Sequence, residues 1–470
     1  MGNNAMDMDI TNPATGRVLQ SVTVTNGDEL PEILVRSEAA SSMWRQVPIE
    51  ERCAMMMAFA QLLGDHAQEC ATIQMQETGK PITQALNEVT ATVARIQTLA
   101  QLAPNALADQ RSLAPEELQS ASDTREYVQW EPLGVIGNIS AWNYPWFVST
   151  NVVVPALLAG NSVLFKPSEY ATRTGLKMVE LLRMAGVPED VVVAVIGDGA
   201  VGERLTQLPL DGLFFTGSFN TGQRILNAVA GSMMKLGLEL GGKDPCYVTD
   251  QVDIESVAES VASGCFYNAG QSCCAIERLY VHEAVYESFL EALVKAAGAY
   301  QLGDPADPET TLGPLTLPHQ KPWVEAHIQD AIDQGATVVW QGLPINASGM
   351  HGEHFQPATI LAGVTDAMRI QHEETFGPVI GVQMVSDDAQ ALQAMNRTDY
   401  GLTASVYCRD HARAEAILQR LEVGTAYVNC CDRVSPWLPW SGRRHSGLGM
   451  TLGVSGIQTF AVPKGWMVRG

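Results

Sequence analysis

The sequence predicts an α/β fold with parallel sheet, and two observations carry that reading. From about residue 133, short apolar runs at 134–139, 162–165, 191–196 and 213–215 are separated by helix-like segments at 170–185, 200–208 and 220–231. Strands that alternate with helices form βαβ units, whose parallel sheet is buried on both faces and so reads as continuous apolar runs. The second observation is that the pattern recurs. Segments 252–264 and 284–297 read as helices, and 338–339, 379–382 and 404–406 as strands. The chain before residue 133 is expected to be helical. Met56, Phe59 and Leu63 recur at helical spacing, as do Val89, Val93, Ile96 and Ala100. The Pro/Gly-rich stretch 303–315 is expected to be loop. The glycine-rich tail after Gly447 ends in weak alternation at 465–468, which reads as an edge strand.

A chain of 470 residues suggests two to four domains at roughly 150 residues each. Hydrophobic residues make up 46% and charged residues 17%, enough to fill large cores. With 29 Lys+Arg against 52 Asp+Glu the formal charge is −23, which opposes binding to a phosphate backbone. No apolar run reaches the roughly 18 residues that span a bilayer. The first residues lack the basic region and apolar core of a secretory leader. The nine cysteines are odd in number and include no C-x-x-C spacing, a poor framework for disulfides or zinc. A cytoplasmic protein with no nucleic-acid or membrane partner is expected, with room for one reactive thiol.

Several motifs invite chemistry. Gly197, Gly199 and Gly202 match G-x-G-x-x-G after a strand, but no acidic residue follows at the required distance, so a plain strand–turn–helix loop is favoured. The segment from Phe215 through Gly217 and Ser218 to Gly222 is a strand entering a glycine-bracketed helix start, where backbone N–H groups suit a pyrophosphate. The run from Gly237 to Lys243 nearly spells a P-loop, but Asp244 stands where Ser or Thr must hold magnesium. What remains is Glu239 inside an apolar run, readable as a structural ion pair or as a general base of raised pKa. Cys273 follows Gly270-Gln271-Ser272 in a polar turn, where a thiol can be exposed and near backbone donors. His351 and His354 have neither the spacing nor the third partner of a metal site, and no metal is expected.

Taken together the chain resembles the NAD(P)-dependent, non-phosphorylating aldehyde dehydrogenases over nearly its whole length. The resembling residues run in that family's order: Glu77-Thr78-Gly79-Lys80-Pro81, Trp142-Asn143-Tyr144-Pro145, Phe165-Lys166-Pro167-Ser168-Glu169, Phe215-Thr216-Gly217-Ser218 and Glu239-Leu240-Gly241-Gly242-Lys243. Then come Gly270-Gln271-Ser272-Cys273 with Arg278, Glu374-Thr375-Phe376-Gly377-Pro378, Asn396-Arg397, Tyr400-Gly401-Leu402 and Asn429. The resemblance implies a Rossmann-like cofactor domain at 1–113 and 133–241, a second α/β catalytic domain at 242–446, and a small β oligomerisation element at 114–132 and 447–470. It implies Cys273 as nucleophile, Glu239 as the base that activates water, and Asn143 as the side-chain half of an oxyanion hole. Lys166 and Glu169 resemble the pair on the adenosine ribose, and Trp142, Gly217 and Ser218 the pyrophosphate contacts. Glu374 resembles the carboxylate on the nicotinamide ribose, with Phe376 beside the nicotinamide.

These residue types suit the reaction. An aldehyde gives up hydride readily only after a nucleophile has made it tetrahedral, and the resulting oxyanion needs donors where its charge develops. Thioester hydrolysis then needs a base. An acylating enzyme that hands the thioester to coenzyme A is the alternative, and Glu239 argues against it. A carboxylate at Glu169 favours NAD, with NADP possible. The resemblance implies a substrate tunnel that includes Tyr144, Phe147, Asn151, Cys274, Arg433, Trp437 and Trp440. The aromatic rings suit an apolar, aromatic or quaternary-ammonium aldehyde. Arg433 in the tunnel would favour a semialdehyde, whereas pointing to solvent or pairing with Asp432 would leave the substrate open. Departures from the family fall at Met450-Thr451, in place of its Arg-Glu, and at Phe460 in place of Tyr; they are expected to touch oligomer contacts rather than chemistry. The resemblance implies a homodimer or homotetramer.

Overall fold

Short buried apolar runs can satisfy their backbone only by pairing with one another, and here they do so in two parallel sheets. The computed structural model describes residues 6–111, 124–345 and 350–469. The first sheet has six strands in the order Gly447–Leu448, Lys235–Glu239, Gly212–Thr216, Val135–Ile139, Ser162–Lys166 and Val192–Ala194. The strand earliest in the chain, Val135–Ile139, lies inside the sheet with neighbours parallel to it on both sides. The chain steps outward through Ser162–Lys166 and Val192–Ala194, then returns to the other flank through Gly212–Thr216 and Lys235–Glu239. That reversal is a topological switch point, which opens a crevice beyond the carboxyl ends of the strands. The expected strands and helices here match to within a residue or two, with helices at Thr172–Met184, Gly199–Thr206 and Phe219–Val229.

The second sheet has seven strands, ordered Thr337–Gln341, Thr359–Ala362, Val379–Val385, Ile276–His282, Asp244–Val248, Thr403–Tyr407 and Thr425–Val428. All its pairings are parallel except the first. Helices Ile254–Phe266 and Tyr286–Ala297 pack together beside it. The stretch 303–315 contains neither helix nor strand, as expected.

Ahead of the sheets lie an unexpected hairpin, Asp7–Thr11 with Val18–Thr23, and four helices ending in Ile82–Ala106. That last helix buries Ala85, Glu88, Val89, Thr92, Arg95, Ile96 and Leu99. The spacing of three and four places them on one face, packed against Ile49–Asp65 and Pro145–Ala159. Helix Pro145–Ala159 is buried on nearly every side and stops at Gly160, whose φ of 96° is a left-handed cap. At the far end Ala461–Arg469 pairs along its whole length with Thr124–Pro132. Residues 114–123 of the expected oligomerisation element lie outside the described residues.

Candidate active site

The crevice beyond the switch point continues into a cleft of about 1060 Å³, lined on one side by Trp142, Thr216, Gly217 and Ser218 and deeper in by Asn143, Glu239 and Cys273. Each of these side chains is placed by the fold. Strand Val135–Ile139 ends just before Trp142 and Asn143. Strand Gly212–Thr216 ends at the turn before helix Phe219–Val229, where the Ser218 side chain accepts from the Thr221 N–H as its N-cap. Strand Lys235–Glu239 delivers Glu239 at its last residue. Residues distant in sequence thus meet because parallel strands end on one edge.

Cys273 is held by a strained loop. After helix Ile254–Phe266, Asn268, Ala269 and Gly270 take φ values of 53°, 56° and 68°, a left-handed run that non-glycine residues adopt only when their surroundings enforce it. A side chain on Gly270 would meet the Gly377 carbonyl at 2.4 Å. The loop is tied down by the Asn268 carboxamide, which donates to the Asn143 and Gln271 carbonyls at 3.1 Å each, and by Gln271 Oε1, which accepts from the Thr316 N–H at 2.9 Å. Asn143 is buried, and its Nδ2 donates to the Gln271 carbonyl at 3.2 Å, two residues ahead of Cys273. A carboxamide nitrogen carries two protons, so one donor remains for a ligand.

The two adjacent cysteines differ. Cys273 is half-buried at the cleft wall, whereas Cys274 is buried and donates to Asp432 Oδ1 at 3.0 Å. The Cys274 thiol is held well above its ordinary pKa, first by its hydrogen bond with Cys273, then by burial and by Asp432. Cys274 is therefore a buried proton donor.

Glu239 has no cationic partner within ion-pairing distance among the described residues. Its carboxyl accepts from the Thr451 hydroxyl. Burial pushes its pKa up to about 7, against the pull of Thr451, Arg95 and Thr216. The departure at residue 451, expected to bear on subunit contacts, thus bears on the cleft: Gly447 pairs with Glu239 and brings the C-terminal segment alongside. The near P-loop proves structural. Lys243 pairs with buried Glu277 at 2.5 Å, and Asp244 accepts from the Thr403 N–H at 3.1 Å and from its hydroxyl at 2.6 Å.

Glu277 also accepts from the Thr375 and Phe376 N–H groups at 2.8 Å each, which fixes the loop carrying Glu374 and Phe376. The Phe376 ring stands edge-on to Trp142, their centroids 5.7 Å apart. Glu374 accepts from the Gly242 N–H at 3.0 Å, and a side chain on Gly241 would meet its carboxylate at 2.2 Å. Burial and the Glu277 charge push Glu374 up to about 8. Lys166 and Glu169 do not line the cleft itself. They sit at the carboxyl end of the neighbouring strand, 3.7 Å apart, with the buried ammonium donating to the Pro167 carbonyl at 3.2 Å. A switch-point crevice with glycine turns, a capped helix N-terminus, one buried lysine and carboxylates at two depths fits a dinucleotide.

Of the expected tunnel residues, Tyr144, Phe147, Asn151, Cys274, Arg433 and Trp440 line the cleft. Trp437 does not: it is 58% exposed, on the exposed stretch 437–439 that follows Pro436 of the cleft wall. Arg433 is exposed at the rim and makes no ion pair among the described residues. Residues that the sequence reading missed are Arg95, Glu88 and Trp323, which also line the cleft. A signal existed for the first two, charges on the buried stripe of an amphipathic helix.

A model of the aldehyde dehydrogenase family matches residues 1–465. The chain is 33% identical over 457 residues to an NADP-dependent succinate-semialdehyde dehydrogenase of Deinococcus radiodurans, covering 96% of this chain and 93% of that protein. Among solved structures it resembles an NADP-dependent enzyme of E. coli, with a TM-score of 0.94, 32% identity, and 99% and 95% of the two chains covered. It also resembles betaine aldehyde dehydrogenase of Staphylococcus aureus in complex with NAD+, with a TM-score of 0.93, 27% identity, and 98% and 92% covered.

Proposed function

The chain belongs to the aldehyde dehydrogenase family and oxidises an aldehyde to its carboxylic acid with NAD(P)+; from that premise we propose which of its residues perform the reaction and how. Cys273 is the nucleophile. Its sulfur attacks the aldehyde carbon, and the oxyanion that forms accepts hydrogen bonds from the Asn143 carboxamide and the Cys273 N–H. Bound in the cleft, the nicotinamide supplies the acceptor for the hydride. The acyl group is left as a thioester on Cys273. Glu239 then takes a proton from water, which attacks the thioester and releases acid and thiol. The observation that carries this reading is the convergence of Cys273, Asn143 and Glu239 on one cleft, with the neighbouring Cys274 buried and bonded.

Trp142, Gly217 and Ser218 would hold the pyrophosphate, Lys166 and Glu169 the adenosine ribose, and Glu374 and Phe376 the nicotinamide end. Glu169 supports NAD, since a carboxylate binds ribose hydroxyls and repels a 2′-phosphate. The domain assignment follows the sheets: the six-stranded sheet for cofactor, the seven-stranded sheet for catalysis. The exposed strand Ala461–Arg469 supports an oligomer, because a long strand with Val462, Trp466, Met467 and Val468 exposed is an edge that proteins normally cover. Nine free cysteines support a reducing, cytoplasmic setting. No helix among the described residues is long and apolar enough to cross a membrane.

Replacing Cys273 by Ala tests the assignment. NADH production from butanal is expected to vanish while circular dichroism is unchanged, and a variant with wild-type turnover would overturn it.

A further inference from the structure

A guanidinium is always charged, so burying one without a carboxylate calls for an explanation. Arg95 is 4% exposed and lines the same cleft as Cys273 and Glu239. It projects from the buried stripe of helix Ile82–Ala106. Its Nη1 donates to Asn151 Oδ1 at 2.8 Å, its Nη2 to the Val434 carbonyl at 3.3 Å, and its guanidinium lies 3.9 Å from the Phe147 ring centroid. Among the described residues no carboxylate lies within ion-pairing distance of it. The acids that feel its charge are Glu239, Glu88 and Cys274. Glu88 is already committed to the Lys80 ammonium, to Gln74 and to the Trp146 and Phe147 N–H groups. Neutral partners orient Arg95, and the attraction of Glu239 acts on it only from beyond ion-pairing distance, so its guanidinium stands at the cleft wall without a paired carboxylate.

We propose that Arg95 is the receptor for a carboxylate on the substrate, so that the enzyme's preferred aldehydes are short semialdehydes carrying an acid at the far end from the reacting carbonyl. The inference rests on the Cys273 reading, which fixes the carbonyl end. A carboxylate can take two parallel N–H bonds from the arginine fork, a pairing strengthened by exclusion of water. The carboxylates that share the cleft wall each have proton donors of their own: Asp432 accepts from Ser272 at 3.1 Å and Cys274 at 3.0 Å, Glu239 from the Thr451 hydroxyl, and Glu374 from the Gly242 N–H. Exposed Arg433, the cation the sequence pointed to, sits at the rim and adds attraction at the entrance.

The test compares kcat/KM for succinic semialdehyde with that for butanal, its neutral counterpart, in the wild-type enzyme and in Arg95→Gln, Arg95→Lys and Asn151→Ala. Wild type is expected to prefer the semialdehyde by about a hundredfold, as for a desolvated charge pair. Arg95→Gln is expected to abolish that preference, mostly through KM for the semialdehyde, with Arg95→Lys retaining part of it. The wild-type ratio needs no variant, so a misfolded mutant leaves the proposal testable. A wild-type enzyme that oxidises butanal as well as the semialdehyde, or prefers betaine aldehyde, overturns the proposal and leaves the Cys273 reading standing. Equal losses on both substrates in a folded Arg95→Gln would mean a structural role. No turnover of any aldehyde by wild type would instead overturn the Cys273 reading itself.

Discussion

The hydroxyl of Thr451 donates a hydrogen bond to the carboxyl of Glu239, although 212 residues separate them in sequence. The bond stabilises the ionised carboxylate and opposes the burial that pushes Glu239 up to about 7. Removing the hydroxyl in the near-isosteric Thr451→Val should raise the pKa of Glu239 further. The acid limb of the pH–rate profile for acid formation is expected to move to higher pH, with the high-pH plateau retained. A limb that stays where it is in wild type would break the link between these residues.

The wild-type profile follows from the same value. A base works only when ionised, and burial raises the pKa of Glu239, so turnover limited by thioester hydrolysis should rise with pH through about 7 and level off above it. Hydride transfer, measured in a single-turnover burst of NADH, does not need this base and should lack that limb. A burst that shares the limb would place Glu239 in the first half-reaction instead.

Asn143 offers its remaining carboxamide proton to the developing oxyanion. Asn143→Ala should lower kcat by about a hundredfold to a thousandfold, the usual cost of one lost oxyanion donor. Stopped-flow measurement of the burst separates this from slow hydrolysis. An unchanged burst rate would remove Asn143 from the chemistry.

Gly270 is required by backbone geometry. Its φ is 68°, and a methyl group there would lie 2.4 Å from the Gly377 carbonyl. Gly270→Ala should cost about 1–3 kcal/mol of stability, read from denaturant unfolding, and displace the loop that presents Cys273. Wild-type stability and turnover would show that the loop tolerates what its geometry forbids.

How much of this was legible in sequence depends on what each residue is bonded to. Glu239, Cys273 and Asn143 sit in local motifs with characteristic glycines and turns, and the strands that lead to Glu239 and Asn143 are apolar runs that show in one dimension. Strands Asp244–Val248 and Thr425–Val428 were missed because short, fully or half-buried runs lack any period of their own. Arg95 was missed because a charge on a helical face that also carries Gln84, Glu88 and Thr92 looks like ordinary surface until the face is seen to be buried. Thr451 stands out in sequence as a departure, but its setting beside Glu239 does not. Only the pairing of Gly447 with Glu239 shows that this part of the tail reaches the base, and antiparallel contacts between distant segments leave no local trace. Trp437 illustrates the converse: an aromatic residue near the cleft in sequence that does not line it.

The central claim is that an acyl group is carried on one sulfur and released by water that Glu239 activates. Glu239→Gln should form the thioester and fail to hydrolyse it. Incubated with butanal and NAD+, then digested and analysed by mass spectrometry, it is expected to carry a butanoyl group on Cys273, which free hydroxylamine removes. An unmodified Cys273 after a full equivalent of NADH has formed, or a butanoyl group on Cys274, would contradict the account.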